Sequence, residues 1–347
     1  MSSFQDENNK DLTSNTMRAP EDVVSVGRAF HQRRTCRLIA DSSADWSPEV
    51  AHTLGIEVLH FTYVTPGGEQ EDDLWQTQSA HDFYETLRQN PELHYTTSAI
   101  TPGRYFEVFE RYAKEGTPTI YVGLTAGLSS SILNAYQAQQ MIAEQYPDFE
   151  LYVLDNKSPS ACGELLTIEM ARQAANGLTA REVYEWACEA RCFLHGYFML
   201  ENFQSLAAGG RIPPAAATVG SKLDIKPVLS YDNNGALTIH SMCRGRRKAL
   251  RAILGVFQEC YGHDTSLPLV LMNADAEKDA DWMEREIRKL DGCEELFIIR
   301  SQISPILGSH VGPGMVALGF WGCDRREKLS FTDRLARKVR RSGQDDA

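Results

Sequence analysis

Thr119-Ile120-Tyr121-Val122-Gly123-Leu124-Thr125-Ala126-Gly127-Leu128-Ser129-Ser130-Ser131-Ile132-Leu133-Asn134-Ala135 is the stretch that decides how this chain is read. Residues 119–124 form a mostly apolar run of strand length, and residues 132–141 follow a helical pattern. Gly127-Leu128-Ser129-Ser130-Ser131 is therefore the turn where a strand stops and a helix starts. A helix N-terminus leaves its first backbone N–H groups unpaired and carries roughly half a positive charge. Hydroxyl donors at that point make a site for a carboxylate or a phosphate. Serine is also a favoured N-cap, so capping is the plainer role, but three serines in a row exceed what one cap needs.

The same alternation runs through the first half. A short strand at 36–40 leads into the polar turn Asp41-Ser42-Ser43-Ala44-Asp45, and a helix over 47–54 has Pro48 in its first turn. A strand is predicted at 56–64, a helix at 80–88, the polar turn Thr96-Thr97-Ser98, a helix at 104–114 and a strand at 151–154. Helices follow at 163–176 and 180–194. Strands alternating with amphipathic helices predict an α/β layer with a largely parallel sheet, whose ligands sit beyond the carboxyl ends of the strands. Three polar turns, 41–45, 96–98 and 125–131, converge there.

Later the pattern changes. Strands at 223–230 and 236–240 around Asp232-Asn233-Asn234-Gly235 read as a hairpin, followed by a basic helix at 246–255. Strands at 267–272 and 295–300 flank a helix at 279–290, and the turn His310-Val311-Gly312-Pro313-Gly314 leads into an apolar strand at 315–320. The expected fold is α/β, with an N-terminal parallel-sheet domain over 36–165 and a C-terminal α+β domain over 166–322. A disordered extension over 1–35 and a basic tail over 323–347 flank them.

At 347 residues the chain is long enough for two such cores. No apolar run approaches the roughly 20 residues a membrane span needs. The first 35 residues lack the apolar centre of a signal peptide, so a cytoplasmic location is expected. The net charge of −12 argues against nonspecific nucleic-acid binding. Eight cysteines without a CxxC pair suit a reduced compartment. Cys188, Cys192 and His195 have a loosely metal-like spacing in a segment that reads as helical, and core packing is the favoured reading. No metal and no cofactor are expected. The basic tail places Phe331, Leu335 and Val339 on one face. It reads as a solvated terminal helix, with transient contact to an anionic membrane surface as the sharper alternative. The basic segment 244–251 has two readings as well: a solvated helix face, or a place where a partner or ATP phosphates meet the chain.

Several phrases together resemble the DegV family of fatty-acid-binding proteins. They are Asp41-Ser42-Ser43, Thr97-Ser98, Gly127-Leu128-Ser129, Asp155-Asn156-Lys157-Ser158 with Gly163, and Leu200-Glu201-Asn202-Phe203 running to Gly209-Gly210-Arg211-Ile212. Ile225-Lys226-Pro227-Val228-Leu229 and His310-Val311-Gly312-Pro313-Gly314 complete the set, in order over about residues 36 to 321. The resemblance implies a two-domain protein that holds one fatty acid, with its carboxylate at the domain junction and its chain in an apolar tunnel. It also implies a partner, a fatty acid kinase catalytic subunit that makes the acyl phosphate. Carried onto this sequence, the carboxylate ligands are Ser129, Thr97 and His310, with Arg211 nearby and Ser98 and Ser130 beside them. The sequence departs from the family where Leu-Ser-Gly-Thr is Leu128-Ser129-Ser130-Ser131, where Asp-Ser-Lys is Asp155-Asn156-Lys157, and where the Gln after Thr-Ser is Ala99.

The residues allow each of these roles a rival. Ser129 could only cap, Arg211 could hold loop carbonyls, and Asp41 could organise its turn or cap the helix after it. A nearby carboxylate is expected to favour the charged form of His310. A serine esterase or thioesterase would use Ser129 as nucleophile and His310 as base, with Asp275 or Asp291 as orienting acid. The missing Gly at position 131 counts against the nucleophile elbow Gly-x-Ser-x-Gly. A triose-binding kinase subunit is a further rival, but the chain has no Gly-x-x-x-x-Gly-Lys-Ser/Thr phosphate loop.

Overall fold

The structure, a computed structural model, describes residues 34–215 and 224–327. The expected extension, apart from Arg34 and Thr35, and the tail from 328 onward, with Phe331, Leu335 and Val339, lie outside the described residues.

The chain opens with β1 (Arg37–Asp41), the 3-10 turn Ser42–Ala44, and α1 (Pro48–Thr53), which begins at Pro48. β2 (Glu57–Leu59), β3 (Thr62–Thr65) and β4 (Gly68–Glu71) follow, then α2 (Ala80–Gln89), β5 (Thr96–Ser98) and α3 (Pro102–Glu115). Next come β6 (Thr119–Gly123), α4 (Ser131–Gln145), β7 (Leu151–Asp155), α5 (Ala161–Ala175) and α6 (Ala180–Ala190). The second half contains β8 (Leu194–Met199), α7 (Gln204–Ala208), β9 (Ile225–Tyr231), β10 (Leu237–Arg244) and α8 (Arg246–Cys260). It ends with β11 (Leu269–Asn273), α9 (Glu277–Ile287), β12 (Ile298–Gln302), α10 (Pro305–Val311) and β13 (Val316–Trp321).

β1, β2, β6 and β7 form a parallel sheet in the order β2-β1-β6-β7. Every residue of β6 is buried, as a parallel strand covered on both faces must be. The second half builds a six-stranded mixed sheet, β10-β9-β8-β13-β11-β12, in which β11 and β12 run parallel. Helix α5 touches both sheets, with Cys162, Leu165, Leu166, Met170 and Ala174 inaccessible. The expected division at residue 165 falls inside this helix. A separate core joins α8 and α9 to the outer face of the six-stranded sheet through Leu250, Ile253, Phe257, Met283 and Phe320.

Four expectations are corrected. The strand predicted at 56–64 is two strands in different sheets, broken where Phe61 N–H donates to Ser42 Oγ and His60 meets the Asp72 carbonyl. Residues 96–98 are not a turn at the end of a parallel strand. They are β5, paired antiparallel with β3 in the small sheet β4-β3-β5. The helix predicted to reach 194 stops at Ala190, and His195 lies in β8, whose buried apolar residues lack the alternation that marks an open strand. His310 belongs to the last turn of α10 rather than to the turn that follows it.

Candidate functional site

The 125–131 turn separates the three serines into distinct roles. Ser129 Oγ accepts the Ser131 N–H at 3.2 Å, which ties the turn to the first residue of α4. Its own proton has no acceptor among the described residues and is free to donate. Ser130 occupies the N-cap position but makes no side-chain cap bond. Ser131 turns inward: its Oγ meets Tyr105 Oη at 2.8 Å and accepts Ile100 N–H at 3.3 Å. Tyr105 Oη reaches Tyr121 Oη at 2.7 Å, and Tyr121 donates to Asp41 Oδ2 at 2.7 Å. Asp41 also accepts the Leu124 N–H at 3.0 Å and caps the 42–44 turn through Ser43 N–H. It thus organises its own turn and the end of β6 together. This buried polar line fixes the Gly-Leu-Ser turn to the core of the parallel sheet and to the segment after β5.

β5 itself carries Thr97. Its Oγ1 lies 2.9 Å from Nε2 of His310, which arrives from the other half of the chain. The imidazole is 8% exposed, and its Nδ1 has no partner among the described residues. An orphaned buried N–H costs more than an unused lone pair, so the proton is assigned to Nε2 and is donated to Thr97. The Thr97 hydroxyl proton is then left to point into the space beside it. Burial first, and then the charge of Arg211, lower the His310 pKa to about 4. Desolvation thus pulls the ring towards its neutral form, against the direction in which a neighbouring carboxylate would act.

Arg211 donates to the carbonyls of Leu128 (3.3 Å) and Gly209 (2.6 Å). It joins the residue before Ser129 to the residue that packs on His310, and burial lowers its own pKa. Gly210, at φ +71°, supplies the left-handed residue that turns the chain out of α7. Thr97, Ser98, Ser129, Ser130, Arg211 and His310 all line one cavity of about 240 Å³. The rest of its wall is largely apolar and comes from both halves, including Leu124, Phe198, Leu206, Leu237 and Met315. The β9–β10 turn closes against this region. A Cβ on Gly127 would come within 2.5 Å of the Gly235 carbonyl oxygen.

A family model described as an uncharacterised protein of the DegV family matches residues 35–322. This chain belongs to the DegV family. The DegV match spans both sheets and every residue of the cavity wall named above. Among curated relatives, a DegV domain-containing protein of Clostridium perfringens is 27% identical over 285 residues, covering 82% of this chain and 97% of its own. Among solved structures, a DegV lipid-binding protein from Thermotoga maritima superposes with a TM-score of 0.70 at 24% identity, covering 84% of this chain and 99% of that one. The Streptococcus pneumoniae fatty acid kinase B3 protein loaded with linoleic acid gives a TM-score of 0.72 at 22% identity, over 83% and 99%. These likenesses bear out the α/β fold with its second α+β unit.

Other candidates of this DegV chain fall elsewhere. Asp275 pairs with Arg88 and with His81 (3.1 Å), not with His310, and Asp291 is exposed in the turn after α9. Within the basic segment, Arg246 is held by Glu201, Asp279 and the Gly314 carbonyl, and Arg247 stacks on Trp282 at 4.1 Å. His195 stacks on Phe320 and bonds the Cys323 carbonyl at 2.8 Å, which is the packing role expected for it. Among the described residues no helix is long and apolar enough to cross a membrane. Sequence reasoning missed Tyr105, Tyr121 and Gly209. The tyrosines read as ordinary core residues, and only the two glycines before Arg211 hinted at a close approach.

Proposed function

We propose that this DegV protein is a cytoplasmic, non-catalytic carrier of one long-chain fatty acid, which it presents to a separate fatty acid kinase for acyl-phosphate formation. The halves 36–165 and 166–322 form the two walls of the site. Ser129 and Thr97 donate hydroxyl protons to the carboxylate, His310 completes the clamp by donating its Nε2–H to Thr97 and so aiming that hydroxyl, and Arg211, Ser98 and Ser130 complete the polar end. The partial positive charge at the start of α4 favours the same anion. The acyl chain lies in an apolar tunnel that continues the cavity, where burial contributes roughly 0.8 kcal/mol per methylene. The observation that carries the reading is the 2.9 Å contact between Thr97 and His310 at the polar end of an otherwise apolar cavity.

The hydrolase alternative needs a Ser129–His310 bond and an acid on Nδ1. His310 instead bonds Thr97, and no carboxylate reaches Nδ1 among the described residues. Native mass spectrometry of the protein expressed in bacteria tests the proposal. A co-purified fatty-acid mass, lost in Ser129→Ala, supports the carrier. An empty protein that cleaves acyl esters through Ser129 overturns it.

A further inference from the structure

Gly322-Cys323-Asp324-Arg325-Arg326-Glu327 follows β13, and from Cys323 on it lies beyond the residues that the DegV match spans. Four charged residues in six read as the head of a solvated tail. The structure instead ties this segment to the body of the protein. Gly322 N–H donates to the Phe193 carbonyl at 2.8 Å, and Cys323 N–H donates to the carbonyl of Cys260, the last residue of α8, at 2.9 Å. Arg325 N–H donates to the Cys192 carbonyl at 2.9 Å. Arg326 pairs with Glu189 of α6 and with Asp324, each at 2.8 Å. Residues 322–327 are a strap laid across the start of β8.

Arg325 reaches from this strap to the end of β9. Its guanidinium carbon sits 4.6 Å from the centre of the Tyr231 ring, and its Nη2 donates to the carbonyls of Tyr231 and Asp232. Tyr231 is the last residue of β9, and Asp232 opens the turn to β10. That turn is braced from within. Asp232 N–H donates to the Ala236 carbonyl at 2.9 Å, and the Asp232 carbonyl accepts Gly235 N–H at 3.0 Å. The Asp232 carboxylate accepts Asn234 N–H at 2.8 Å and Ala236 N–H at 3.0 Å. A turn so built moves as a unit, hinged at its base, and Arg325 holds the base. Tyr231 and Leu237, on either side of it, both line the cavity, and its tip meets Gly127. Tyr231 also crosses β8 where Gly196 leaves room and donates to Cys162 Sγ of α5 at 2.5 Å. A planar guanidinium can stack on a ring while its edge bonds two carbonyls; a lysine ammonium cannot do both.

We propose that Arg325 is the positioning residue for the cavity wall supplied by β9 and β10: it stacks on Tyr231, grips the base of the 232–236 turn, and so sets how often that turn lifts from Gly127. On the carrier reading, on which this consequence rests, Arg325 sets the residence time of the fatty acid.

Hydrogen exchange of the peptide over 232–237 in the full-length protein without ligand tests the grip. Arg325→Ala should speed its exchange by roughly tenfold or more, the scale of a lost bond to a charged group, while the β6 peptide over 119–123 keeps its protection. Arg325→Lys should stay closer to the alanine variant than to wild type. Arg326→Ala removes the neighbouring charge and only exposed ion pairs, so it should match wild type. Wild-type exchange in Arg325→Ala, full rescue by lysine, or an equal rise in Arg326→Ala overturns the assignment. If Arg325→Ala also loses the β6 protection and is therefore unfolded, the comparison of Arg325→Lys with Arg326→Ala decides. Dissociation of a fluorescent fatty acid should quicken in the same order as the exchange. Faster exchange with unchanged dissociation overturns the link between turn and ligand. Absence of fatty-acid binding by wild type would sink the carrier reading and leave the exchange to decide on Arg325.

Discussion

Gly209 and His310 share one space: a Cβ on Gly209 would lie 2.9 Å from Cε1 of the imidazole and closer still to Nδ1. The glycine backbone is ordinary (φ −74°), so the position is glycine for the sake of the ring and not of the turn. Gly209→Ala should therefore leave helix α7 intact and push His310 off Thr97. The expected result is fatty-acid binding weakened by roughly tenfold or more, the scale of one lost hydrogen bond, with thermal stability lowered by about 1 kcal/mol. Fluorescent fatty-acid titration and thermal denaturation measure both. Unchanged affinity would mean that His310 is not part of the clamp.

The serines of the turn should separate by phenotype. Ser129→Ala removes a donor to a charged ligand, about 1.5–3 kcal/mol, or roughly ten- to hundredfold in Kd, with a smaller loss of stability, about 0.5–1 kcal/mol, from the Ser131 N–H bond it gives up. Ser131→Ala removes the buried partner of Tyr105 and Ile100, so it should cost about 1–3 kcal/mol of stability before it affects the ligand. Denaturant unfolding beside ligand titration distinguishes them. The same stability loss in both variants would refute the division of labour.

Gly127 and Gly235 meet backbone to backbone across the halves, and Gly235 also sits at φ +83°. Gly127→Ala forces a Cβ into the Gly235 carbonyl, so the β9–β10 turn must lift away from the Gly-Leu-Ser turn. Faster proteolysis within 232–236 and a raised fatty-acid off-rate are expected. A variant with wild-type cleavage and release would show that the hairpin does not close the site.

Glu164 is inaccessible, and both of its carboxylate oxygens lack a partner among the described residues. Burial raises its pKa well above the usual range, so the folded state retains a proton that the unfolded chain gives up. Stability from this group is complete below the ordinary Glu value and is lost as pH rises towards the folded one. Glu164→Met should stabilise the protein by roughly 1–3 kcal/mol at neutral pH, and by less near pH 4. Melting temperatures at pH 4.5 and 8 check the sign. A gain that is larger at pH 4.5 contradicts it.

Much of the fold is legible in the sequence because its signals are local. The apolar run at 119–124 with serines at its end can only be strand, turn and helix start. The cavity residues are legible for a different reason: Thr97, Ser129, Arg211 and His310 carry the family resemblance, and the fold brings all four to one cavity. What stays hidden depends on distant partners. β8 is buried on both faces and so shows no alternation, and Thr96-Thr97-Ser98 becomes a strand only because β3 lies beside it. Asp45 reads as one more polar turn residue until Ser304, 259 positions later, donates to it.

The line from Asp41 through Tyr121 and Tyr105 to Ser131 has a consequence for how a headgroup leaves. Asn134 Nδ2 bonds the Ile100 carbonyl at 2.8 Å alongside the Ser131–Ile100 bond, so the strip bearing Thr97 is riveted to the turn bearing Ser129. Those two hydroxyls form a fixed jaw on one half of the molecule, and His310 on the other half is the latch. On the proposed carrier reading, parting the halves carries off His310 and Arg211 while the two hydroxyls stay together, so a carboxylate would remain on the jaw with one side laid open to whatever receives it.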